Sequence, residues 1–212
     1  MLTGANTGQA NTEPAAGTTR RERKRLHTRR RLYEAAVQLF EEKGYDATTM
    51  DDIAELADTA RATAYNHFPR KSSFLDEWME RRREQVGVEL LASGGAAQPI
   101  GDLLRTYLNY LARINIVQEK LTRTLLPAWV RAGGPINDAP ALADVLSRYI
   151  RTGQERGEIR GDCDAERAGH LIRNAYVGNL YLWLRAEGSA SFDLPTAVDE
   201  SIDIVLRGLA ST

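Results

Sequence analysis

From Leu32 to Phe40 the residues Leu32, Ala35, Ala36, Leu39 and Phe40 recur at i, i+3, i+4, i+7 and i+8, and the pattern stops at Gly44. That spacing puts them on one face of an α-helix. A glycine followed by Tyr45 fits a C-terminal cap with its apolar contact. The same recurrence returns after each glycine or proline break along the 212 residues, and no stretch carries the two-residue period of a half-buried strand. The fold class expected is all-α.

The next segment, "TTMDDIAELADTA", offers Thr48 or Thr49 as N-cap and Asp51 or Asp52 as a short-armed capping box. Ile53, Ala54, Leu56 and Ala57 form its expected buried side. Asp51, Asp52 and Glu55 are read as acids at a helix start, stabilised by the helix dipole, because no histidine stands nearby to complete a metal site. A connection from Asp58 to Ala60 then leads into "RATAYNHFPRKSSF", Arg61 to Phe74. Helix, tight turn and short helix make a helix-turn-helix outline. The short helix spans roughly 12 Å, which fits a major groove about 12 Å wide.

Each residue of that helix has a reading against DNA. Ala62 and Ala64 allow close approach, although Ala64 also suits inward packing. Arg61, Thr63 and Asn66 carry donors for base edges. Tyr65 and His67 reach far enough for flanking phosphates; taken singly, each is equally a packing or surface residue. Phe68 plugs the helix into its own core, and Pro69 ends it. Lys71 precedes the next helix N-terminus, where an ammonium and free N–H groups suit a phosphate.

The net charge of −1, from 28 Lys and Arg against 29 Asp and Glu, argues by itself against a nucleic-acid binder. Yet "TRRERKRLHTRRRLY", Thr19 to Tyr33, holds eight Lys or Arg and one acid. Such a run is either a solvated helix face or an arm for phosphates, since counterion release rewards clustered cations. Residues 1–18, with Glu13 as their single charge, are expected to form a disordered tail. One cysteine, Cys163, excludes an internal disulfide and suits a reducing cytoplasm. The N-terminus has no apolar run, so no signal peptide or membrane span is expected.

Further helices are expected from Ser72 to about Gly94, with Phe74, Leu75, Trp78 and Met79 as stripe, and from Pro99, with Ile100, Leu103, Leu104, Tyr107, Leu108, Leu111 and Ile114. A segment from Leu121 to Arg131 is expected to break or kink at Pro127. Ala139 to Arg156, Asp164 to Ala186 and Pro195 to Leu209 complete the series. "AYVGNLYLWL", Ala175 to Leu184, is apolar on nearly every side. It is covered either by its own domain or, with the last helix, by a second copy in an isologous four-helix interface.

From about Thr28 to Trp78 the chain resembles the DNA-binding domain of TetR-type one-component transcriptional regulators. The resemblance rests on "AAVQLFEEKGYDATTMDDIAELA" and "TARATAYNHFPRKSSFL", with Thr63, Tyr65, His67, Phe68 and Lys71 as the T-x-Y-x-H-F-x-x-K core. It implies that Thr49, Tyr65, His67 and Lys71 hold phosphates while Arg61, Thr63 and Asn66 face bases. It also implies a homodimer reading a near-palindromic double-stranded DNA operator with half-sites about 34–36 Å apart. Asp58, Thr59 and Ala60 replace the family's common Gly-Val-Ser, and the missing serine removes a cap worth about 0.5–2 kcal/mol. Ala64 replaces a larger apolar residue.

The expected organisation is therefore a tail over 1–18, a helix-turn-helix unit over 19–71, and a helical effector-binding and dimerisation unit over 72–212. By the resemblance the second unit holds a small-molecule effector, with Tyr107 and Trp129 as pocket wall and Asn174 as polar handle; the aromatics equally suit a plain core. The function expected is a ligand-responsive repressor without a cofactor. An all-α enzyme is the rival, with His67 or His170 as base, but no nucleophile–base–orienter set or phosphate-cradling glycine loop accompanies them. His170, Cys163 and Asp164 are too sparse for a metal site. A helical module binding acidic protein or membrane is a second rival, and the basic segment lacks the aromatic face that membranes require.

Overall fold

The computed structural model describes residues 19–92, 98–134, 141–186 and 192–209, so the expected tail and the Gly94–Gly95 break lie outside the described residues. Among those described, all regular secondary structure is helical: α1 (Arg20–Lys43), α2 (Met50–Leu56), α3 (Arg61–His67), α4 (Ser73–Ala92), α5 (Ile100–Val117), α6 (Glu119–Arg131), α7 (Ala141–Glu155), α8 (Ala165–Arg185) and α9 (Leu194–Leu209). No described helix is long and apolar enough to cross a membrane.

Helix α1 begins at the basic run, capped by Thr19 in a reciprocal box with Glu22. It ends at Gly44, whose φ of 86° favours glycine. Tyr45 then folds back on Phe40, ring centroids 5.1 Å apart. Leu32, Ala35, Ala36 and Phe40 are buried as their spacing requires. In α2, Thr49 is the N-cap and Asp52 the reciprocal partner. Ile53, Ala54 and Ala57 are buried, but Leu56 is exposed; at the last position of a seven-residue helix it turns outward.

Helices α1 to α3 and the start of α4 share one small core. Phe68 stacks on Phe74 at 3.9 Å, and Phe74 meets Phe40 edge-on at 6.3 Å. Losing such a buried ring typically costs about 3–5 kcal/mol. The larger body is built from α4 to α9, with α7 packed on α8, α9 against α8 and α5, and α5 against α4. Gly169 of α8 lies so close to α7 that a Cβ would stand 2.2 Å from Ser147 Oγ and 2.8 Å from the Ala143 carbonyl oxygen. The two bodies meet where α6 packs on α1 and α4. Helix α6 is continuous through Pro127, so of the expected break or kink the break does not occur. Proline there removes one backbone donor, and the buried Leu125, Leu126, Ala128 and Trp129 around it hold the helix in place.

Candidate functional site

The α2–α3 turn pivots on Asp58, which takes a φ of 45° in the left-handed region, where Asp is among the better-tolerated side chains. Ala60 occupies the N-cap of α3 with no side-chain cap bond. Helix α3 is then fixed from within and behind. Ala64 and Phe68 are fully buried, so Ala64 packs inward. Arg29 of α1 donates to the His67 carbonyl at 2.8 Å and to Glu77 at 3.0 Å, and its guanidinium lies 4.3 Å from the Phe68 ring centre. A cation on the last carbonyls of a helix complements its dipole. Arg31 likewise donates to the Ala57 carbonyl behind α2.

Two cations of the basic run are thus structural clamps, a role that charge clustering does not reveal. Arg20, Arg21, Arg23, Lys24 and Arg25 line an exposed helical extension.

Held this way, α3 leaves Arg61, Ala62, Tyr65 and Asn66 exposed, with Thr63 and His67 half-buried. Arg61 pairs with Asp51 at 3.0 Å and lies 5.6 Å from the Tyr65 ring centre. Both partners are solvent-exposed, so the pair is weak and leaves the guanidinium free to exchange partners. Thr49 sits at the exposed start of α2, its hydroxyl oxygen accepting from the Asp52 amide at 3.1 Å. Burial, then the positive Arg29 and Arg25, hold the His67 pKa below its ordinary value.

Lys71 differs from expectation. Its ammonium donates to the carbonyls of Tyr45 at 2.8 Å, Thr48 at 2.9 Å and Asp46 at 3.3 Å. Three donors meet three acceptors, so the group ties the α1–α2 connection to the foot of α4 and offers no spare hydrogen to a phosphate.

A 47-residue segment, 32–78, matches the model described as bacterial regulatory proteins, tetR family. Over these residues the chain is similar to the TetR family's regulators. It is 26% identical over 188 residues to the HTH-type transcriptional repressor KstR of Mycolicibacterium smegmatis, covering 87% of each chain. It is 28% identical over 193 residues to the probable acrEF/envCD operon repressor of Escherichia coli K12, covering 86% of each. Among solved structures, Thermus thermophilus FadR in complex with lauroyl-CoA superposes with a TM-score of 0.65 at 26% identity, covering 87% of this chain and 96% of that one. The chain is a DNA-binding transcriptional regulator.

The regulator's larger body holds a second group of functional interest. Arg82 of α4 is only 5% exposed. It donates to the Asn115 side-chain oxygen, to Gln118 Oε1 at 2.9 Å and to Thr122 Oγ1 at 3.1 Å. Asn115 in turn donates to the Tyr176 hydroxyl at 2.8 Å. The guanidinium lies 3.9 Å from the Trp78 ring centre, and its Nε has no hydrogen-bond partner. Burial pushes the Arg82 pKa down to about 10, still far above neutrality, so the charge persists. Taking an ion out of water costs several kcal/mol, which neutral acceptors recover only in part.

Trp78, Arg82, Asn115 and Tyr176 border a cavity of about 30 Å³, closed further by Leu111, Leu126 and Leu180. Tyr107 and Trp129 are buried, as a pocket wall would be, but neither borders this cavity. Tyr107 packs edge-on against Tyr149 at 5.9 Å, and Trp129 packs over Gly134, where a Cβ would meet the indole at 2.2 Å. Asn174 is exposed and accepts from Arg173 at 3.0 Å, so it faces outward and is no handle for an internal ligand. Among the described residues no cluster of His, Cys, Asp or Glu could hold a metal.

Proposed function

We propose that the protein is a dimeric, effector-responsive repressor that inserts α3 into the major groove of a near-palindromic operator. The observation carrying this reading is the two-sidedness of α3. Ala64 and Phe68 anchor it while Arg61, Tyr65 and Asn66 stand exposed on the same short helix. Arg61, Thr63 and Asn66 face bases; Thr49, Tyr65 and His67 take phosphates; Lys71 positions the turn that carries Thr49. The exposed basic extension of α1 adds attraction to the duplex.

Residues 19–71, completed by the first turns of α4, form the reading unit, and 72–212 form the dimerisation and effector unit. Leu171 and Leu182 of α8 and Ile204 of α9 are 54%, 50% and 74% exposed. Leu171, Asn174, Gly178 and Leu182 fall at i, i+3, i+7 and i+11, one exposed helix face suited to a second copy of this chain. Similarity to repressors across 86–87% of the chain supports the direction of regulation. FadR's complex with lauroyl-CoA supports a small-molecule effector.

Selection of bound duplexes from a randomised pool tests the reading. Enrichment of a two-fold-symmetric site supports it; recovery of no common sequence counts against it.

A further inference from the structure

Arg82 falls on the apolar stripe of α4, with Leu75, Trp78 and Val86 buried at the neighbouring turns. The acceptors around its guanidinium, Asn115, Gln118 and Thr122, are neutral, and among the described residues no Asp or Glu pairs with it. Trp78, stacked beneath it, also has a buried indole N–H without a partner. A charge, two unsatisfied donors and a small void therefore coincide, walled by leucines. Buried charges are ordinarily paired, and a planar carboxylate is the ligand group that a guanidinium fork matches best.

We propose that the effector is an organic acid with an apolar body, whose carboxylate pairs with Arg82 while its body opens the space between Leu111, Leu126 and Leu180. The proposal rests on the effector-responsive reading and names the ligand class. A cation would be repelled at this position, and a neutral ligand would leave the guanidinium without a counter-charge. The void of about 30 Å³ holds little more than one water, so entry requires side chains to move. The acid takes the place of Gln118 and Thr122 on Arg82 Nη2. Those two residues stand at the α5–α6 corner, and α6 packs on α1. Occupation of the cavity thereby reaches the unit that carries α3.

Tryptophan fluorescence titration of the full chain with decanoate, decanol and decyltrimethylammonium tests the site. The expected order places decanoate at least tenfold tighter than decanol, with the ammonium weakest. Arg82→Met, which replaces the charge by a flexible apolar group, should erase the preference while keeping or raising the melting temperature, and Arg82→Lys should restore part of it. Equal binding of decanoate and decanol, or no binding of decanoate to its solubility limit, overturns the proposal. Anisotropy of a labelled operator duplex, read in parallel, separates this from the regulatory reading. Arg82-dependent decanoate binding without any change in duplex affinity leaves the anion site standing and removes its link to regulation.

Discussion

Lys71 Nζ lies 2.8 Å from the Tyr45 carbonyl oxygen and 4.4 Å from the centre of the Tyr45 ring, so one residue both satisfies and covers the cap of α1. With Thr48 and Asp46 also accepting from it, the ammonium organises the loop that delivers Thr49 to the start of α2. Lys71→Met should therefore lower stability by about 1–3 kcal/mol, on the usual scale of charged hydrogen bonds. Urea denaturation measures this. The same variant should lose affinity for every duplex while leaving the slope of log affinity against log salt nearly unchanged. A slope reduced by about one would restore Lys71 as a direct phosphate ligand.

His67 should make DNA binding pH-dependent. Its pKa lies below the ordinary 6.5 in the free fold, because burial and the nearby Arg29 and Arg25 disfavour the imidazolium. The unfolded chain binds the proton more readily, so this group's contribution to stability is present above about pH 6.5 and is lost as pH falls toward the folded value. A phosphate has the opposite effect and favours the charged ring. Duplex affinity should thus rise as pH falls from 8 to 6, with proton uptake, and His67→Gln should flatten that dependence. An unchanged dependence in His67→Gln would remove its phosphate role.

Asn66 is exposed near the end of α3 and suited to an adenine edge. Asn66→Ala should cost about 1–3 kcal/mol on the best operator and nearly nothing on duplexes altered at one position of each half-site. Competition binding across single-base operator variants gives the answer. A uniform loss on every sequence would reassign Asn66 to backbone contact.

Ala60 leaves the first turn of α3 without a side-chain cap. Ala60→Ser should add about 0.5–2 kcal/mol of stability, the reverse of a cap deletion. Thermal unfolding reads it as a raised midpoint, and a lowered midpoint would show that the hydroxyl cannot reach the α3 amides.

The helices, the turn and the anchoring of α3 were legible because each depends on local spacing: Leu32 to Phe40 at helical period, Gly44 at a cap, Asp58 in a left-handed turn. Leu56 and Pro127 departed from pattern because burial at a helix end and continuity through a proline are decided by tertiary packing. Lys71 and Arg29 misled for a different reason. A cation's partners depend on which carbonyls the fold brings near, and those lie 23–26 residues away for Lys71 and 38 for Arg29. Asn174 followed only from a presumed inward orientation, whereas the helical period places it with exposed Leu171 and Leu182. Arg82 left a readable signal, a charge set on the Leu75–Trp78–Val86 stripe, as did Asn115 one turn beyond buried Leu111.

The central claim is that two copies of α3 read successive major grooves. Hydroxyl-radical footprinting on the DNA flanking the protein's own coding sequence tests it most directly. Two protected patches on one face of the duplex, centred about one helical turn or a multiple of it apart, are the result predicted. A chain that sediments as a monomer and protects none of that DNA at low ionic strength would contradict it.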